Sequence, residues 1–388
     1  MGENRKTSST LVVLLDAFRA EYLNPKDTPF LWKLKDEGIW IKRIFNNGGY
    51  CERTCSMCGA LPEVSDNYFA MALMPSQKPY KRAYYEPLFN VPYEIRSRLT
   101  MTEDQTVDTQ PGSFGVESYW DVMRKEGKTW QFEACFALGV RSFKGRTTHG
   151  SRPLFILDGF KKHHNLYYLQ LSEVDQYAHL LGCESEAFRG ILRWADGTVE
   201  WLWEAFKKEF DHPKLFVGGD HGMATVKYKI DVPIEDILHR FRLGYDYLYL
   251  KSSAAIQFWS WNDAVDKVLR HSPILKQYGK FINSPTPRQA SYIWLVKPYY
   301  LISPCHFHAQ NEEIRAMHGW CLDGQDMVEE MYGGGLIVDG EHKGVVEKAE
   351  LIDWAPTVCD LVGLARYPKQ NSGKSILRMV DYKLTDTK

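Results

Sequence analysis

Two apolar runs that each stop on a carboxylate constrain this chain more than any other feature. Leu11 to Leu15 ends at Asp16, and Leu215 to Gly219 ends at Asp220. Short continuous apolar runs read as strands buried on both faces, which is what a mostly parallel sheet covered by helices requires. A carboxylate that follows such a strand stands at the carboxyl edge of an open α/β sheet, where these folds collect their ligands. Asn165 to Leu171 repeats the pattern and delivers Ser172, Glu173, Val174 and Asp175 to the same edge. Asp175 and His179 are four residues apart on a helical turn, so both side chains can face one ion. With His221 beside Asp220 and with His318, the set has the composition of a two-metal hydrolytic site.

The segments between these strands read as the helices of an α/β fold. Thr28 is the expected N-cap of an amphipathic helix that has Pro29 at its first position and Gly38 near its end. Residues 39–46 alternate like a strand, Gly48 and Gly49 permit a sharp turn, and a helix starts near Cys51. Strand, glycine turn and helix start together make a place for a nucleophile or an anion-binding backbone. Residues 118–127 read as a helix, 129–136 as a strand, 187–210 as a long amphipathic helix, and 351–363 as a closing helix ended by Gly363. Residues 65–110 are rich in Tyr, Phe and Pro and are read as a lid insertion. Residues 231–303 mix strand and helix and are read as a cap insertion. The expected fold is a single α/β domain over 1–388, a mostly parallel sheet between helices, with no internal repeat.

At 388 residues, with 44% hydrophobic and 25% charged residues, the chain suits one large α/β domain with inserted segments. A net charge of -1 gives no electrostatic reason to expect a nucleic-acid polymer as partner. The polar start MGENRKTSST leads straight into the first strand, so no secretory signal or membrane span is read there, and a cytoplasmic location is expected. Lys6 occupies the position at which myristoylation of Gly2 would need Ser or Thr. Cys51, Cys55 and Cys58 could form a redox or metal cluster, but helical spacing in a reducing compartment favours packing under the sheet. A homodimer is expected only from the general prevalence of such oligomers.

Six ordered pieces carry a resemblance: VVLLDAFR, CSMCGALPE as a degraded Thr-Gly-x-x-Pro segment, Asp175 with His179, GGDHGM, AMHGW, and IDWAPTVCDLVG. Spanning residues 11 to 363, they resemble the alkaline phosphatase superfamily, and most closely its type I phosphodiesterase/nucleotide pyrophosphatase branch. The resemblance implies an alkaline-phosphatase-like three-layer sandwich and two divalent ions, usually Zn²⁺, with Mn²⁺ also suited to carboxylates and imidazoles. It assigns Asp175, His179 and His318 to one ion and Asp16, Asp220 and His221 to the other. It implies hydrolysis of a small-molecule phosphoester, a phosphodiester or pyrophosphate bond, through a covalent intermediate on a helix-start nucleophile.

The nucleophile is where the chain departs from the branch. Relatives place Thr or Ser about ten residues before the glycine that aligns with Gly59, and here that position is Gly49. A two-residue contraction would put Cys51 at the helix start, where a thiolate gains from the helix terminus and Arg53. Thr54 offers the hydroxyl chemistry the branch uses. Ser56 and direct attack by water stay open beside them. Arg19 and Arg53 are candidates to hold the phosphoryl group, and His306 and His308 to line the cleft. Phosphomonoesterase, phosphonate hydrolase and phosphotransferase chemistry remain alternatives. The sulfatase pattern Cys-x-Pro-Ser-Arg is not met, since residues 51–55 lack its proline. A non-catalytic binding module is disfavoured, because unused ligands would crowd like charges without an ion to offset them.

Overall fold

The computed structural model describes residues 8–47, 49, 52–69, 71–73, 95, 98–101, 114–133, 153–306, 313–320 and 328–385. Cys51, His308 and most of 65–110 lie outside the described residues, and with them the Cys51 nucleophile and most of the expected lid.

The centre of the fold is an eight-stranded sheet: β1 (Ser8–Leu15), β2 (Ile39–Phe45), β3 (Trp130–Glu133), β4 (Leu166–Leu171), β5 (His212–Gly218), β6 (Gly333–Val338), β7 (Gly344–Val346) and β8 (Ala349–Glu350). Its spatial order is β7-β2-β6-β5-β1-β4-β3, with β8 also pairing β2. β1 runs parallel to β4 and β5, and β3 parallel to β4. β6 alone runs the other way, antiparallel to both β5 and β2. β2 therefore points in the same direction as β5, and the carboxyl ends of β1, β2, β4 and β5 share one edge of the sheet.

Alternation along β1 explains why it is central. Leu11, Val13 and Leu15 pack into a layer with α3 (Glu173–Leu181) and α4 (Glu186–Glu209), while Val12 and Leu14 pack into the opposite layer with α2 (Glu52–Cys58) and α5 (Trp354–Val362). Burying each such side chain stabilises the fold by roughly 1.5–3 kcal/mol. Cys55 and Cys58 sit in that second layer as small core residues. The result is the three-layer α/β sandwich expected.

Two local details differ from the sequence reading. Helix α1 (Pro29–Leu34) is not capped by Thr28, whose hydroxyl donates to the Tyr22 carbonyl at 2.7 Å. Its first-turn N–H groups at Phe30 and Leu31 instead donate to the Asp196 carboxylate of α4, each at 2.9 Å. Gly38 does not end that helix. It lets the chain pass close to β6, where a Cβ would meet the Ile337 carbonyl oxygen at 1.9 Å. At the end of α5 the expected glycine does adopt the left-handed conformation, with Gly363 at φ 74.

Between β5 and β6 the chain builds a second, four-stranded antiparallel sheet from Tyr247–Lys251, Ala255–Ser260, Tyr292–Val296 and Gly279–Asn283 in that spatial order. It has its own core around Trp259 and Trp294. Among the described residues, no helix is long and apolar enough to cross a membrane.

Candidate metal centre

The carboxyl edge of the sheet gathers all six expected ligands from four places. Asp16 follows β1, Asp175 and His179 lie on α3, which follows β4, and Asp220 and His221 follow β5. His318 follows the two-residue strand Ala316–Met317. Asp175 Oδ1 lies 3.3 Å from His179 Nε2 and 3.7 Å from His318 Nε2. Asp16 Oδ1 lies 3.6 Å from His221 Nε2. Among the described residues, five of the six form two overlapping groups, Asp175 with His179 and His318, and Asp16 with Asp175 and His221, whereas Asp220, expected in the second set, belongs to neither. Asp175 belongs to both.

Backbone geometry prepares these side chains. Ala17 takes the left-handed conformation at φ 57, and its N–H donates to Asp220 Oδ1 at 3.1 Å. The His221 N–H donates to the same oxygen at 3.0 Å. Asp220 thus ties the end of β1 to the end of β5, with that oxygen 3.9 Å from His221 Nε2. His179 Nδ1 lies 2.8 Å from the Ala316 carbonyl, and His221 Nδ1 lies 2.9 Å from the Gly222 carbonyl. A carbonyl can only accept, so both Nδ1 atoms carry a proton and Nε2 is the nitrogen left to bind an ion, as in the second shell of metal-bound imidazoles. The rings of His221 and His318 stack with centroids 4.0 Å apart.

Sequence reasoning missed Gln170. Its amide donates to Asp16 Oδ2 at 2.6 Å and leaves Asp16 Oδ1 turned toward His221. The signal was present as one polar residue in the otherwise apolar end of β4, LYYLQL, where a buried amide needs a partner.

The electrostatics fit a cation. Asp175 Oδ1 is buried with no hydrogen bond, although two imidazole nitrogens stand close to it. Burial alone would raise the Asp175 carboxyl, but His179, His318 and His221 outweigh it and hold the group well below the ordinary carboxylate range. Burial would likewise lower His179, and Asp175 outweighs it and raises the imidazole. Burial pushes Asp220 up, and the nearby Asp175 charge adds to that. Carboxylates crowded in this way beside imidazole nitrogens suit divalent metal binding.

The other expected site residues are placed less directly. Gly49 is held at φ 64, and a Cβ there would meet the Tyr68 ring and carbonyl at 2.7 Å, so that position accepts no side chain without displacement. Thr54 and Arg53 are buried in α2 at 0% and 6% exposure, and the Ser56 hydroxyl donates to the Arg53 carbonyl. The buried Arg19 guanidinium pairs with Glu21 and with Glu184 at 3.4 Å and lies over the Tyr22 ring. His306 is a core residue against Lys251 and belongs to neither ligand group.

A sequence profile of the type I phosphodiesterase / nucleotide pyrophosphatase family matches residues 70–280, more than half of the chain. The chain belongs to that family. With this membership and the paired ligand groups, it is a metal-dependent hydrolase acting on phosphoester-type substrates. Comparison with curated proteins returns no match. Among solved structures, the murine ectonucleotide pyrophosphatase / phosphodiesterase 5, inactive through a threonine-to-alanine replacement and in complex with AMP, is 16% identical with a TM-score of 0.70, covering 99% of each chain. The same murine protein without that replacement is 17% identical with a TM-score of 0.68, covering 98% of this chain and 99% of its own. The human counterpart is 16% identical with a TM-score of 0.68, covering 96% of this chain and 99% of its own. At these identities the family member shares their fold.

Proposed function

We propose that the chain hydrolyses phosphodiester or pyrophosphate bonds of small molecules at two divalent ions, with Zn²⁺ the best match to its donors. Asp175, His179 and His318 would hold one ion. Asp16, Asp220 and His221 would hold the other, with Asp175 near both. The observation that carries this reading is that Asp175 lies in both ligand groups. Such a pair of ions supplies stabilisation for the attacking oxygen and for the charge that develops on phosphorus.

The chain's own residues do the rest. Gln170 and the carbonyls of Ala316 and Gly222 orient Asp16, His179 and His221. Asp220 fixes the distance between the ends of β1 and β5. α2 follows β2, whose carboxyl end lies on the ligand edge, so Thr54 starts from the same edge as the candidate ligands. Cys51 or Thr54 attacks phosphorus while the bond from phosphorus to the leaving alcohol or phosphate breaks, and water then displaces the side chain from the covalent intermediate to release the product phosphate. The murine relative's inactivation by loss of a threonine supports hydroxyl chemistry of the kind Thr54 offers, without assigning that position, and its bound AMP supports a nucleotide-like substrate. Arg53, in the same turn of α2, holds the phosphoryl group, with Arg19 a second candidate that would first have to leave Glu21 and Glu184.

The test is elemental mass spectrometry of protein purified without added metal or chelator, with an Asp220→Ala/His318→Ala double variant beside it. About two zinc or manganese ions per chain, lost in the variant, together with faster hydrolysis of aryl phosphodiesters than of monoesters, is the expected result. Absence of metal uptake by the parent protein would sink the reading. Cys51→Ala and Thr54→Val, assayed separately for a burst and for trapped phosphoprotein, separate the two nucleophiles.

A further inference from the structure

Helix α4 carries an apolar row that lies outside the face it buries. The side of α4 turned to the sheet buries Phe188, Leu192, Val199, Leu202 and Phe206. Trp194 and Trp201 stand off that stripe, 41% and 42% exposed, and their spacing of seven residues puts both rings on one line along the helix. Ala187, Ile191 and Ala205 continue the line, and between the rings the Thr198 hydroxyl donates to the Trp194 carbonyl at 2.8 Å. Charged residues sort to the other flank, where Arg193 pairs with Glu186 at 2.7 Å and Lys207 with Glu204 at 2.8 Å. One exposed tryptophan would need no explanation, whereas two in register on one helix make a surface.

Two glycines sharpen the point. Gly190 and Gly197 lie inside α4, where glycine is less stable than alanine. A Cβ at either position would meet nothing within 4 Å, and neither has a positive φ. Among the described residues, nothing in one chain requires glycine there. Gly190 is four residues before Trp194, and Gly197 is three after Trp194 and four before Trp201, so each leaves a hollow beside a ring. A side chain from a second helix can enter such a hollow, and the missing Cβ lets the two backbones approach.

The row is symmetric about the middle of the helix. α4 runs from Glu186 to Glu209, so its midpoint falls between Gly197 and Thr198. Trp194 lies three residues before Gly197, and Trp201 three after Thr198. A two-fold axis through that midpoint sets Trp194 of one copy opposite Trp201 of the other and overlaps the helices over all 24 residues. It also sets the turn of Glu186 against the turn of Lys207 and Lys208 at both ends and opposes the helix dipoles. A parallel pair would bring like charges together at both ends. One surface thus supplies rings, hollows and both signs of charge in self-complementary order, as an isologous contact requires.

We infer that this face of α4 is the interface of a homodimer in which two copies of the chain pack their α4 helices antiparallel about a two-fold axis. The inference is independent of the hydrolytic reading above. One helix pair lies at the small end of specific interfaces, so a dissociation constant on the order of 10 µM is expected.

Sedimentation velocity on the intact protein between about 1 and 200 µM tests it. The parent should pass from monomer to dimer across that range, and a Trp194→Lys/Trp201→Lys variant should stay monomeric, its association weakened at least about a hundredfold. Gly197→Leu fills the hollow and should weaken the dimer about tenfold or more without lowering the thermal midpoint of the monomer, since leucine favours the helix. Thr198→Cys, beside the axis, should link the two copies through a short bis-maleimide beyond the level the parent reaches. A parent that stays monomeric at about 200 µM overturns the dimer, and if it then floats with anionic phospholipid vesicles through the two tryptophans, the face belongs to a membrane surface instead. A dimer that survives both the tryptophan and the glycine substitutions has its interface elsewhere, and a dimer without the Thr198→Cys link overturns the antiparallel two-fold. Should the tryptophan variant fail to fold, Gly197→Leu decides alone.

Discussion

Two buried histidine environments in this chain are wired in opposite directions. At the candidate metal centre, His179 and His221 each donate from Nδ1 to a backbone carbonyl and turn Nε2 toward carboxylates. In the second sheet, His306 uses Nδ1 to accept the Lys251 N–H at 3.0 Å, and its own backbone N–H returns to the Lys251 carbonyl at 2.9 Å. Burial, helped by the Lys251 charge, pushes the His306 imidazole down to about 4. Asp175 pulls His179 the other way, against its burial. The direction of one hydrogen bond thus separates a histidine prepared for a cation from one that belongs to the core, a distinction that proximity in sequence to His318 does not make.

The sharpest way to break the contrast is to remove the carboxylate the two ligand groups share. Asp175→Asn keeps the shape and removes the charge that offsets three imidazoles. Metal content should fall at both sites, and hydrolysis should drop by about a thousandfold or more, worth roughly 4 kcal/mol of transition-state stabilisation. Loss of only one ion by elemental analysis would show that Asp175 serves a single site.

On the other side of the comparison, His306 predicts a pH dependence of stability. Its folded-state value lies below the unfolded one, so the unfolded chain binds more protons between about 6.5 and 4. Stability contributed by the neutral imidazole is therefore complete above about pH 6.5 and is lost as pH falls toward 4, by about 3 kcal/mol at most. Denaturant titrations across that window should show the loss in the parent and a shallower one in His306→Asn, which can still accept the Lys251 N–H. An equal slope in both proteins would assign the pH dependence to other groups.

Gln170 offers a smaller perturbation of the metal side alone. Gln170→Leu removes the 2.6 Å hydrogen bond that turns Asp16 toward His221 and leaves the first ligand group untouched. Competition with a chelator should show one ion held about 10–100-fold more weakly while the other keeps its affinity, the cost usual for a lost second-shell partner. Equal weakening of both ions would mean that the substitution disturbs β4 and not the orientation of Asp16.

The candidate ligands Asp16 and Asp220 were legible in sequence because each follows a buried strand, marked by an apolar run that stops abruptly, whereas the assignment of His318 came with the family resemblance. Asp16 and Asp220 needed nothing beyond that, and Asp175 with His179 needed only the helical period. What was not legible came from contacts between distant segments. Gln170 reads as an ordinary strand residue until β1 is set beside β4. The sharing of Asp175 between the two groups depends on how α3 is packed, which no local pattern encodes. Gly49 stands in the same class: that it accepts no side chain is decided by Tyr68, nineteen positions on, and its left-handed backbone.

Helix α1 gives the smallest and most local test of that lesson. Sequence pattern assigns its cap to Thr28, whereas the structure supplies both capping bonds from Asp196, a carboxylate on α4 that burial pushes above its ordinary range. Thr28→Val removes a hydroxyl that serves the preceding turn, and Asp196→Ala leaves two N–H groups at the start of α1 without their acceptor. Asp196→Ala should cost about 1–2 kcal/mol in denaturant titrations, within the range for loss of an N-cap. Asp196→Asn should recover part of that loss, since its amide oxygen can still accept one N–H and need not be buried as a charge. If Asp196→Ala is silent while Thr28→Val carries the full cost, the helix is capped from within its own segment, and the tertiary origin assigned to this cap is wrong.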